Sequence, residues 1–414
     1  MDFHSILSVF QGVTTLLASP PTLVFGRLIL VLLGFLMIYL GRKGILEPLL
    51  MIPMGLGMAT INVSTMFFDP LGLHGGMGNL FVEPMAGATT DWIKNAADMN
   101  YIMGIDWLQP IYSLTFSNGL IACFVFMGIG SMLDIGYVMC KPFQAMTIAL
   151  FAELGTIFTL PIAQLFGYTA KEAAAISIVG GADGPMVLFT SLKLAPHLFV
   201  PIAVVAYLYL GLAYGGFPYL VRFMVPKRLR AIKMTPPKGI SNISSGQKLT
   251  IAVIICVLLC FLLPVAAPLL FSLFFGVVIR ESGIKQFQEL IGGPVLYLST
   301  MFLGMLLGIL CDAGTILDPK VLPLLILGIT SLMLSGVGGI LGGYVMYFVS
   351  GGKVNPVIGI SGVSCVPTTA KVAQKIVSKD NPHSIVLPDA LGANVSGVLT
   401  TAIIAGVFIN LLSN

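Results

Sequence analysis

Long apolar runs separated by short polar connections make up most of this chain. A membrane-spanning helix needs about 20 apolar residues, and most of the runs are long enough. The 249–279 run contains Pro264 and Pro268, which favours two short helices joined by a turn. The first 19 residues predict a short amphipathic lead-in. The pattern predicts helices at roughly residues 22–40, 48–68, 112–134, 143–166, 197–221, 249–279, 291–311, 321–350 and 382–412.

Two further apolar segments, residues 173–193 and 354–371, are rich in helix-breaking residues. Residues 180–185 of the first read GGADGP, and the second has proline near both ends. Glycine and proline interrupt a helix, so we expect both segments to be discontinuous or re-entrant. With them the chain has about ten or eleven membrane elements, counted by the length a span needs. The predicted fold class is an all-α polytopic membrane protein.

Composition supports this class. The 414 residues are 57% hydrophobic and only 9% charged, with a mean hydropathy of +0.99. Soluble domains carry about 25% charged residues, so a soluble globular protein is excluded. The net charge is +4, but the basic residues lie in the predicted loops, so this charge does not indicate a nucleic-acid partner. The six cysteines form no CxxC pair, and the pattern predicts neither a disulfide framework nor a zinc site.

The charge distribution predicts the topology. Segment 222–248 has no acid and should be cytoplasmic by the positive-inside rule, whereas the acidic stretch 69–106 is expected outside. When the chain is traced from that loop, changing sides of the membrane at each predicted span, segment 173–193 enters from the outer side. Segment 354–371 enters from the cytoplasmic side. Broken elements that enter from opposite faces are typical of an inverted repeat. The basic residues of the loop are Arg222, Lys227, Arg228, Arg230, Lys233, Lys238 and Lys248.

The same reasoning gives the expected domain organisation. An N-terminal half, residues 1–221, contains the first broken element. A C-terminal half, residues 249–414, contains the second. The basic linker 222–248 joins them.

Asp183, in the middle of the GGADGP run, is the strongest candidate for a functional residue. Acids inside membrane segments are costly and usually mark an ion or substrate path. The interrupted backbone around it exposes carbonyl oxygens, which bind small cations such as Na⁺. The alternative is that Asp183 only caps a helix end.

The second broken segment carries neutral oxygens on Asn355, Ser361, Ser364, Thr368 and Thr369. Small residues there also permit close helix packing, which accounts for some of the glycines. Close packing does not explain the lysine at the end of the segment, Lys371. That lysine either extends to the membrane interface or has a functional role.

Four further positions are candidates. Asn394, in the last apolar run, either ligates an ion or hydrogen-bonds across helices. Tyr207 and Tyr209 lie in a span that should pack against the Asp183 element, although a packing role would explain both. Glu153 is a second intramembrane acid whose partner the sequence does not identify.

Three motifs together resemble the beta subunits of the biotin-dependent, sodium-translocating decarboxylases. They are GGADGP at residues 180–185, the run from Asn355 to Pro367, and GANVSG at residues 392–397. The resemblance extends over nearly the whole chain and includes EPLL at 47–50 and FMGIG at 126–130.

The resemblance implies an enzyme that decarboxylates carboxybiotin and couples this step to Na⁺ export, with a proton consumed. It implies that the essential acid is Asp183, that the polar residues of the second element are Asn355, Gly359 and Ser364, and that the functional tyrosine is Tyr209. On this basis we expect Na⁺ to be bound by five residues: Asp183, Asn355, Gly359, Ser364 and Asn394.

Carboxybiotin would be held by Lys371, Ser364 and Asn355, with Lys371 and Tyr209 as candidate proton donors. The oxaloacetate members of the family carry arginine where this chain has Lys371. Lysine keeps the charge but loses bidentate recognition of a carboxylate. The difference is consistent with another subfamily, for malonate, glutaconyl-CoA or methylmalonyl-CoA.

The resemblance also implies partners and a location. Carboxybiotin would arrive on a separate biotin carrier subunit, charged by a carboxyltransferase alpha subunit. A small membrane gamma subunit is expected, and a homo-oligomer is left open. The location would be the cytoplasmic membrane of a prokaryote, with multiple spans. The competing hypothesis is a sodium-coupled secondary transporter that works alone and performs no decarboxylation.

Overall fold

The computed structural model describes residues 20–64, 108–236, 243–316 and 321–412, and within these ranges it contains helices and no strands. This confirms an all-α polytopic membrane protein. The predicted lead-in and the acidic stretch 69–106 lie outside the described residues, as does Lys238. Seven of the described helical segments are long and apolar enough to cross a membrane: Pro21–Arg42, Pro142–Leu165, Ser245–Leu262, Pro264–Glu281, Lys285–Leu310, Val321–Val349 and Leu387–Leu412.

We number the longer helices in chain order. They are α1 (Pro21–Arg42), α2 (Pro48–Ser64), α3 (Leu120–Met132), α4 (Pro142–Ala152), α5 (Leu154–Leu165), α6 (Ala170–Ser177), α7 (Gly184–Leu194), α8 (Phe199–Met224), α9 (Ser245–Leu262), α10 (Ala267–Glu281), α11 (Leu296–Leu310), α12 (Val321–Val349), α13 (Thr368–Asp380) and α14 (Leu387–Leu412). Shorter helical pieces are Gln109–Ile111, Tyr112–Phe116, Gly136–Cys140, Ile178–Gly181, Pro196–Leu198, Lys227–Arg230, Pro264–Ala266, Lys285–Leu290, Ile291–Val295, Ala313–Ile316 and Pro356–Gly362.

The chain divides into two compact units. The first comprises Met1–Ile121 and Ser299–Pro323. In its described part, α1 and α2 approach closely, because a Cβ atom on Gly34 would lie 2.6 Å from the carbonyl oxygen of Gly55. Small residues at such crossings let the backbones of membrane helices touch.

The second unit comprises Ala122–Leu298 and Leu324–Asn414, and it contains both broken segments. The division predicted at the basic linker 222–248, with halves 1–221 and 249–414, stays a prediction.

The proline-containing run folds as the helical hairpin that the sequence predicts. Helices α9 and α10 are joined by the turn Pro264–Ala266. The two free ends of the hairpin meet at Asp134, whose carboxylate lies 2.7 Å from the Lys248 amine and 3.4 Å from the Arg280 guanidinium. The hairpin therefore returns the chain to the face from which it started.

The first broken segment enters and returns on one side. Its two arms are α6 and α7, joined through the turn Ile178–Gly181. Glu172 at the start of α6 lies 2.7 Å from the His197 ring nitrogen just beyond α7. Because the start and the end of the segment are in contact, the segment is re-entrant.

The second broken segment also starts and ends near one place, residues 230–234. Asn355 at its start donates to the carbonyl oxygens of Arg230 and Ile232, at 2.9 and 3.2 Å. Asp380 at the end of α13 accepts from Arg230 at 2.6 Å, and Asn381 donates to Ala231 at 2.8 Å. This segment is therefore re-entrant as well.

Helix α8 fixes the relative direction of the two re-entrant segments. It begins at Phe199, two residues after His197, and ends at Met224, shortly before Arg230. Its 26 residues span about 39 Å at 1.5 Å per residue. The re-entrant segments therefore enter the unit from opposite ends of α8, as the predicted topology requires. An inverted repeat that relates whole halves of the chain stays a prediction.

Candidate cation site

Asp183 lies in the break between the two arms of the first re-entrant segment. Helical geometry ends at Gly181, Ala182 adopts a left-handed conformation with φ of 55°, and α7 begins at Gly184. A left-handed conformation is uncommon for a residue with a side chain, and here it turns the chain so that Asp183 becomes the N-cap of α7. The sequence-based alternative of a capping role is thus part of the structure.

The cap uses only half of the carboxylate. The Met186 backbone N–H donates to Oδ1 of Asp183 over 3.5 Å, at the long limit of a hydrogen bond. The other oxygen, Oδ2, is buried and has no hydrogen-bond partner in the described chain. A buried, unsatisfied carboxylate oxygen is costly, and a bound cation or proton would remove that cost.

The second re-entrant segment meets the first at this break. Its helical turn Pro356–Gly362 ends at the extended residue Val363, and α13 begins at Thr368 after a short non-helical stretch. Within that stretch, Ser364 donates twice to the Gly181 carbonyl oxygen, from the backbone N–H at 3.1 Å and from the hydroxyl at 2.5 Å. The two breaks, which are far apart in sequence, therefore form one junction.

Asn394 of α14 holds the second break in place. Its amide nitrogen donates to the carbonyl oxygens of Ser361 and Val363 at 3.0 and 2.9 Å, and to the Thr369 hydroxyl at 3.0 Å. Its amide oxygen Oδ1 is buried and unpartnered in the described chain. The donor end of Asn394 is therefore structural, and the acceptor end is free for a cation. The hydrogen-bonding alternative is thus part of the structure, and ligation of an ion by Asn394 stays a prediction.

The structure brings Tyr207, not Tyr209, to the Asp183 break. A Cβ atom on Gly184 would lie 2.5 Å from the Tyr207 hydroxyl, which is buried and unpartnered in the described chain. Tyr209 instead donates to the Leu325 carbonyl of α12 at 2.8 Å.

The remaining candidates lie elsewhere on the second segment. Asn355 caps the turn Pro356–Gly362 by accepting from Val357 at 3.1 Å, and its amide nitrogen is used at residues 230–232. Gly359 packs on α12, because a Cβ atom there would lie 2.9 Å from the Gly343 nitrogen. Lys371 is exposed on the first turn of α13.

Glu153 acquires the partners that the sequence did not identify. It lies between α4 and α5 and is 1% exposed. The Thr156 hydroxyl donates to its Oε2 at 2.7 Å, and the Thr401 hydroxyl of α14 is hydrogen-bonded to its Oε1. Thr401 is in turn 3.2 Å from the Ser364 hydroxyl. Sequence reasoning missed Thr156 and Thr401, since single threonines in apolar helices carry no distinctive signal.

Charged pairs at the ends of helices mark the two faces of the second unit. Burial raises the pKa of Asp134, but hydrogen bonds from Lys248 and the Gly136 N–H, with the positive charges of Lys248 and Arg280, lower it below its ordinary value overall. Burial likewise raises the pKa of Glu172. The hydrogen bonds and charge around Glu172 outweigh burial, and its pKa is also lowered.

The arrangement can bind a small hard cation at the junction. It offers an uncommitted carboxylate oxygen on Asp183 and an uncommitted amide oxygen on Asn394, with interrupted backbone between helical arms. Broken helices of this kind bind Na⁺ or protons in transporters. In the described chain, neither Asp183 nor Glu153 has a lysine or arginine as an ion-pair partner.

Comparison with known proteins identifies the family. Residues 26–412 match the family described as "Na+-transporting oxaloacetate decarboxylase beta subunit". A carboxybiotin decarboxylase of Malonomonas rubra is 48% identical over 409 residues, covering 99% of each chain. An oxaloacetate decarboxylase beta chain 2 of Salmonella typhi is 32% identical, covering 93% of this chain and 94% of its own. A methylmalonyl-CoA decarboxylase subunit beta of Veillonella parvula is 30% identical, covering 94% of each chain. These matches place the chain in the family of beta subunits of sodium-translocating decarboxylases.

Proposed function

We propose that this chain decarboxylates carboxybiotin and uses that reaction to export Na⁺ across the membrane. The observation that supports the coupling is the junction at Gly181 and Ser364, where two re-entrant segments from opposite ends of α8 meet beside a half-satisfied acid. Membership of the family does not favour the sodium-coupled secondary transporter.

Na⁺ would bind at the junction. Asp183 supplies the charge through Oδ2 and Asn394 supplies a neutral oxygen through Oδ1, both of which are free in the described chain. Ser364 would contribute its hydroxyl oxygen after releasing the Gly181 carbonyl. Asn355 and Gly359 would act at a distance, because their contacts position the second segment rather than the ion.

Carboxybiotin would be anchored at Lys371. This lysine is exposed on α13, and its charge complements the carboxylate of the substrate. Ser364, and Asn355 through its hold on residues 230–232, would shape the route to the junction. Loss of CO₂ leaves negative charge on the ureido nitrogen, which a proton must neutralise, and Lys371 and Tyr209 are the candidate donors.

The expected partners are those that the resemblance to the family implies. A biotin carrier subunit would bring carboxybiotin to the predicted cytoplasmic face. A carboxyltransferase alpha subunit would transfer the carboxyl group to the biotin of that carrier. A small membrane gamma subunit completes the proposed complex, in the cytoplasmic membrane of a prokaryote.

The test uses the purified chain in liposomes, with carboxybiotin on a carrier domain. We expect CO₂ release that requires Na⁺ and is accompanied by ²²Na⁺ movement, and we expect Asp183→Asn to abolish both. Glu172→Gln is the matched control, because it neutralises an acid at the entrance of the same re-entrant segment. Na⁺-gradient-driven uptake of a carboxylate without CO₂ release would refute the proposal in favour of the transporter. Full activity in Asp183→Asn would refute the assignment of the ion site.

A further inference from the structure

Glu153 is a buried acid that the proposed Na⁺ site does not use. It lies at the break between α4 and α5, next to the first re-entrant segment. Gly155 and Gly180 make this approach possible, because a Cβ atom on Gly180 would lie 2.8 Å from the Thr156 nitrogen. An acid in such a place is costly unless it is paired, coordinated or neutral.

Ionised Glu153 would have no compensating charge. In the described chain its side-chain hydrogen bonds come from Thr156 and Thr401, which are both fully buried and uncharged. The neighbouring Ser335 of α12, whose hydroxyl lies against Gly155, is also uncharged, and its oxygen is unpartnered.

The hydrogen count around Thr401 favours a proton on Glu153. The hydroxyl of Thr401 has one hydrogen but three oxygen neighbours, which are Glu153 Oε1, the Gly397 carbonyl at 3.0 Å and the Ser364 hydroxyl at 3.2 Å. Ser364 gives its own hydrogen to Gly181. With Glu153 protonated, its O–H donates to Thr401 and Thr401 donates to Gly397, so two of the three pairs have a hydrogen and only the longest contact, to Ser364, lacks one. With Glu153 ionised, two of the three pairs would lack one.

We propose that Glu153 is a proton-binding site of this chain, joined through Thr401 and Ser364 to the junction that holds Na⁺, and that Na⁺ binding at Asp183 favours release of this proton. The coupling rests on the proposed function, whereas the proton on Glu153 does not. The charge on Glu153 acts on Asp183, so a cation at Asp183 stabilises the ionised form of Glu153. By linkage, proton release from Glu153 strengthens Na⁺ binding to the same extent.

Among the titratable groups of the described chain, Asp183 lies close enough to Glu153 for their charges to interact. The elements packed around Glu153 carry few others. Lys171, Glu172 and Lys193 lie on the arms of the first re-entrant segment, Tyr344 and Tyr347 lie on α12, and Asp389 lies on α14. Glu172 and Asp389 are engaged with His197 and Lys141, respectively.

The first measurement is the infrared carboxylic-acid C=O band of the purified chain. We expect a band from a buried protonated acid at neutral pH that persists in Asp183→Asn and is absent when Glu153→Gln is added to that variant. Absence of the band from Asp183→Asn, or its persistence in the double variant, would overturn the proposal. This measurement does not depend on Na⁺ binding, so it separates the proton site from the ion site.

The second measurement counts protons released when NaCl is added in weak buffer, with choline chloride as reference and Na⁺ binding followed by calorimetry. Glu153→Gln keeps a neutral hydrogen-bonding group, so we expect it to bind Na⁺ but to release up to about one proton fewer per Na⁺ than wild type. Equal release with retained binding would overturn the coupling. Loss of Na⁺ binding as complete as in Asp183→Asn would show that Glu153 is a Na⁺ ligand instead. Na⁺ binding by Asp183→Asn would refute the proposed ion site alone.

If Glu153→Gln does not fold, Thr401→Val provides a second test. It removes one hydrogen-bond partner of Glu153, so the pH range over which Glu153 releases its proton should shift. Thr400→Val is the matched control, because the Thr400 hydroxyl bonds only to the Ser396 and Gly397 carbonyls of its own helix among the described contacts. Identical behaviour of the two valine variants would overturn the proposal.

Discussion

Two side chains at the junction, Asp183 and Asn394, each have one polar atom in a hydrogen bond that stabilises the fold and one polar atom that has no partner in the described chain. Asp183 caps α7 with one oxygen and leaves the other unpartnered, and Asn394 ties down the second break with its nitrogen and leaves its oxygen unpartnered. In the proposed Na⁺ site, this division would position each ligand before an ion arrives. Pre-positioned ligands bind more tightly, because less conformational entropy is lost on binding.

Asn394→Ala should affect both ends of that side chain. Losing three buried hydrogen bonds should lower the free energy of unfolding by about 1–3 kcal/mol. Losing the oxygen ligand should raise the Na⁺ concentration for half-maximal CO₂ release by about tenfold or more, which corresponds to about 1.4 kcal/mol. Thermal unfolding in detergent and Na⁺ titrations measure the two effects. An unchanged Na⁺ requirement in a folded variant would remove Asn394 from the ion site.

The two neighbouring tyrosines should respond differently to loss of the hydroxyl. Tyr209→Phe removes the hydrogen bond to the Leu325 carbonyl and should destabilise the chain by about 1 kcal/mol. Tyr207→Phe breaks no hydrogen bond in the described chain but changes the surroundings of Asp183, so it should alter the Na⁺ requirement with little effect on stability. Na⁺ titrations and thermal unfolding on both variants check this, and the reverse pattern would contradict it.

At the scale of elements, glycine allows interrupted helices to approach one another. Gly180 of the first re-entrant segment lies against the backbone of α5 and the Ser331 hydroxyl of α12, and that hydroxyl donates to the Ser177 carbonyl at 3.2 Å. The break is therefore held on two sides by neighbouring helices, which can satisfy backbone groups that a broken helix exposes.

Gly180→Ala should displace the first break. Its Cβ atom would lie 2.5 Å from the Ser331 hydroxyl and 2.8 Å from the Thr156 nitrogen, which is backbone and cannot move aside. Overpacking of this kind costs about 1–3 kcal/mol. Gly216→Ala in α8 is the control, because its Cβ atom would have no neighbour within 4 Å. Thermal unfolding should separate the two variants, and equal stability would contradict the packing account.

At the scale of the whole molecule, ion pairs hold loops together at the faces of the second unit. Asp134 joins the two ends of the α9–α10 hairpin to the end of α3. Because its pKa lies below the ordinary value, the ionised form stabilises the fold. That contribution is fully present above the pKa of the unfolded chain and is lost as the pH falls through the lower, folded value.

Asp134→Asn should lower the free energy of unfolding by about 2 kcal/mol at neutral pH, the usual range for hydrogen bonds to charged groups. The difference from wild type should shrink below about pH 4, where the wild-type carboxylate also takes up a proton. Unfolding at a series of pH values measures this, with Glu289→Gln as an exposed control. A difference that stays constant down to low pH would show that the charge of Asp134 is not its source.

The sequence predicted the features that depend on local chemistry. Helix breakers around Asp183 and near Asn355 predicted both broken segments, and paired prolines predicted the α9–α10 hairpin. It did not predict which polar groups meet across the fold. Thr401 reaches Glu153, and Ser364 reaches Gly181, through contacts between residues 248 and 183 positions apart. Such contacts depend on helix packing angles, which hydropathy and helix breakers do not specify.

The double hydrogen bond from Ser364 to Gly181 would also oppose separation of the two re-entrant segments in the proposed transport cycle. Any movement that parts the two re-entrant segments must first break both bonds, at a net cost of about 1–3 kcal/mol. The carbonyl released at that moment is an oxygen beside Asp183. An arriving Na⁺ could take over this oxygen and repay the cost of separation. The Gly181 carbonyl oxygen would then accept the Ser364 hydrogen bonds when the ion is absent and bind the ion after the segments part, so that the closed fraction of the chains falls as Na⁺ rises.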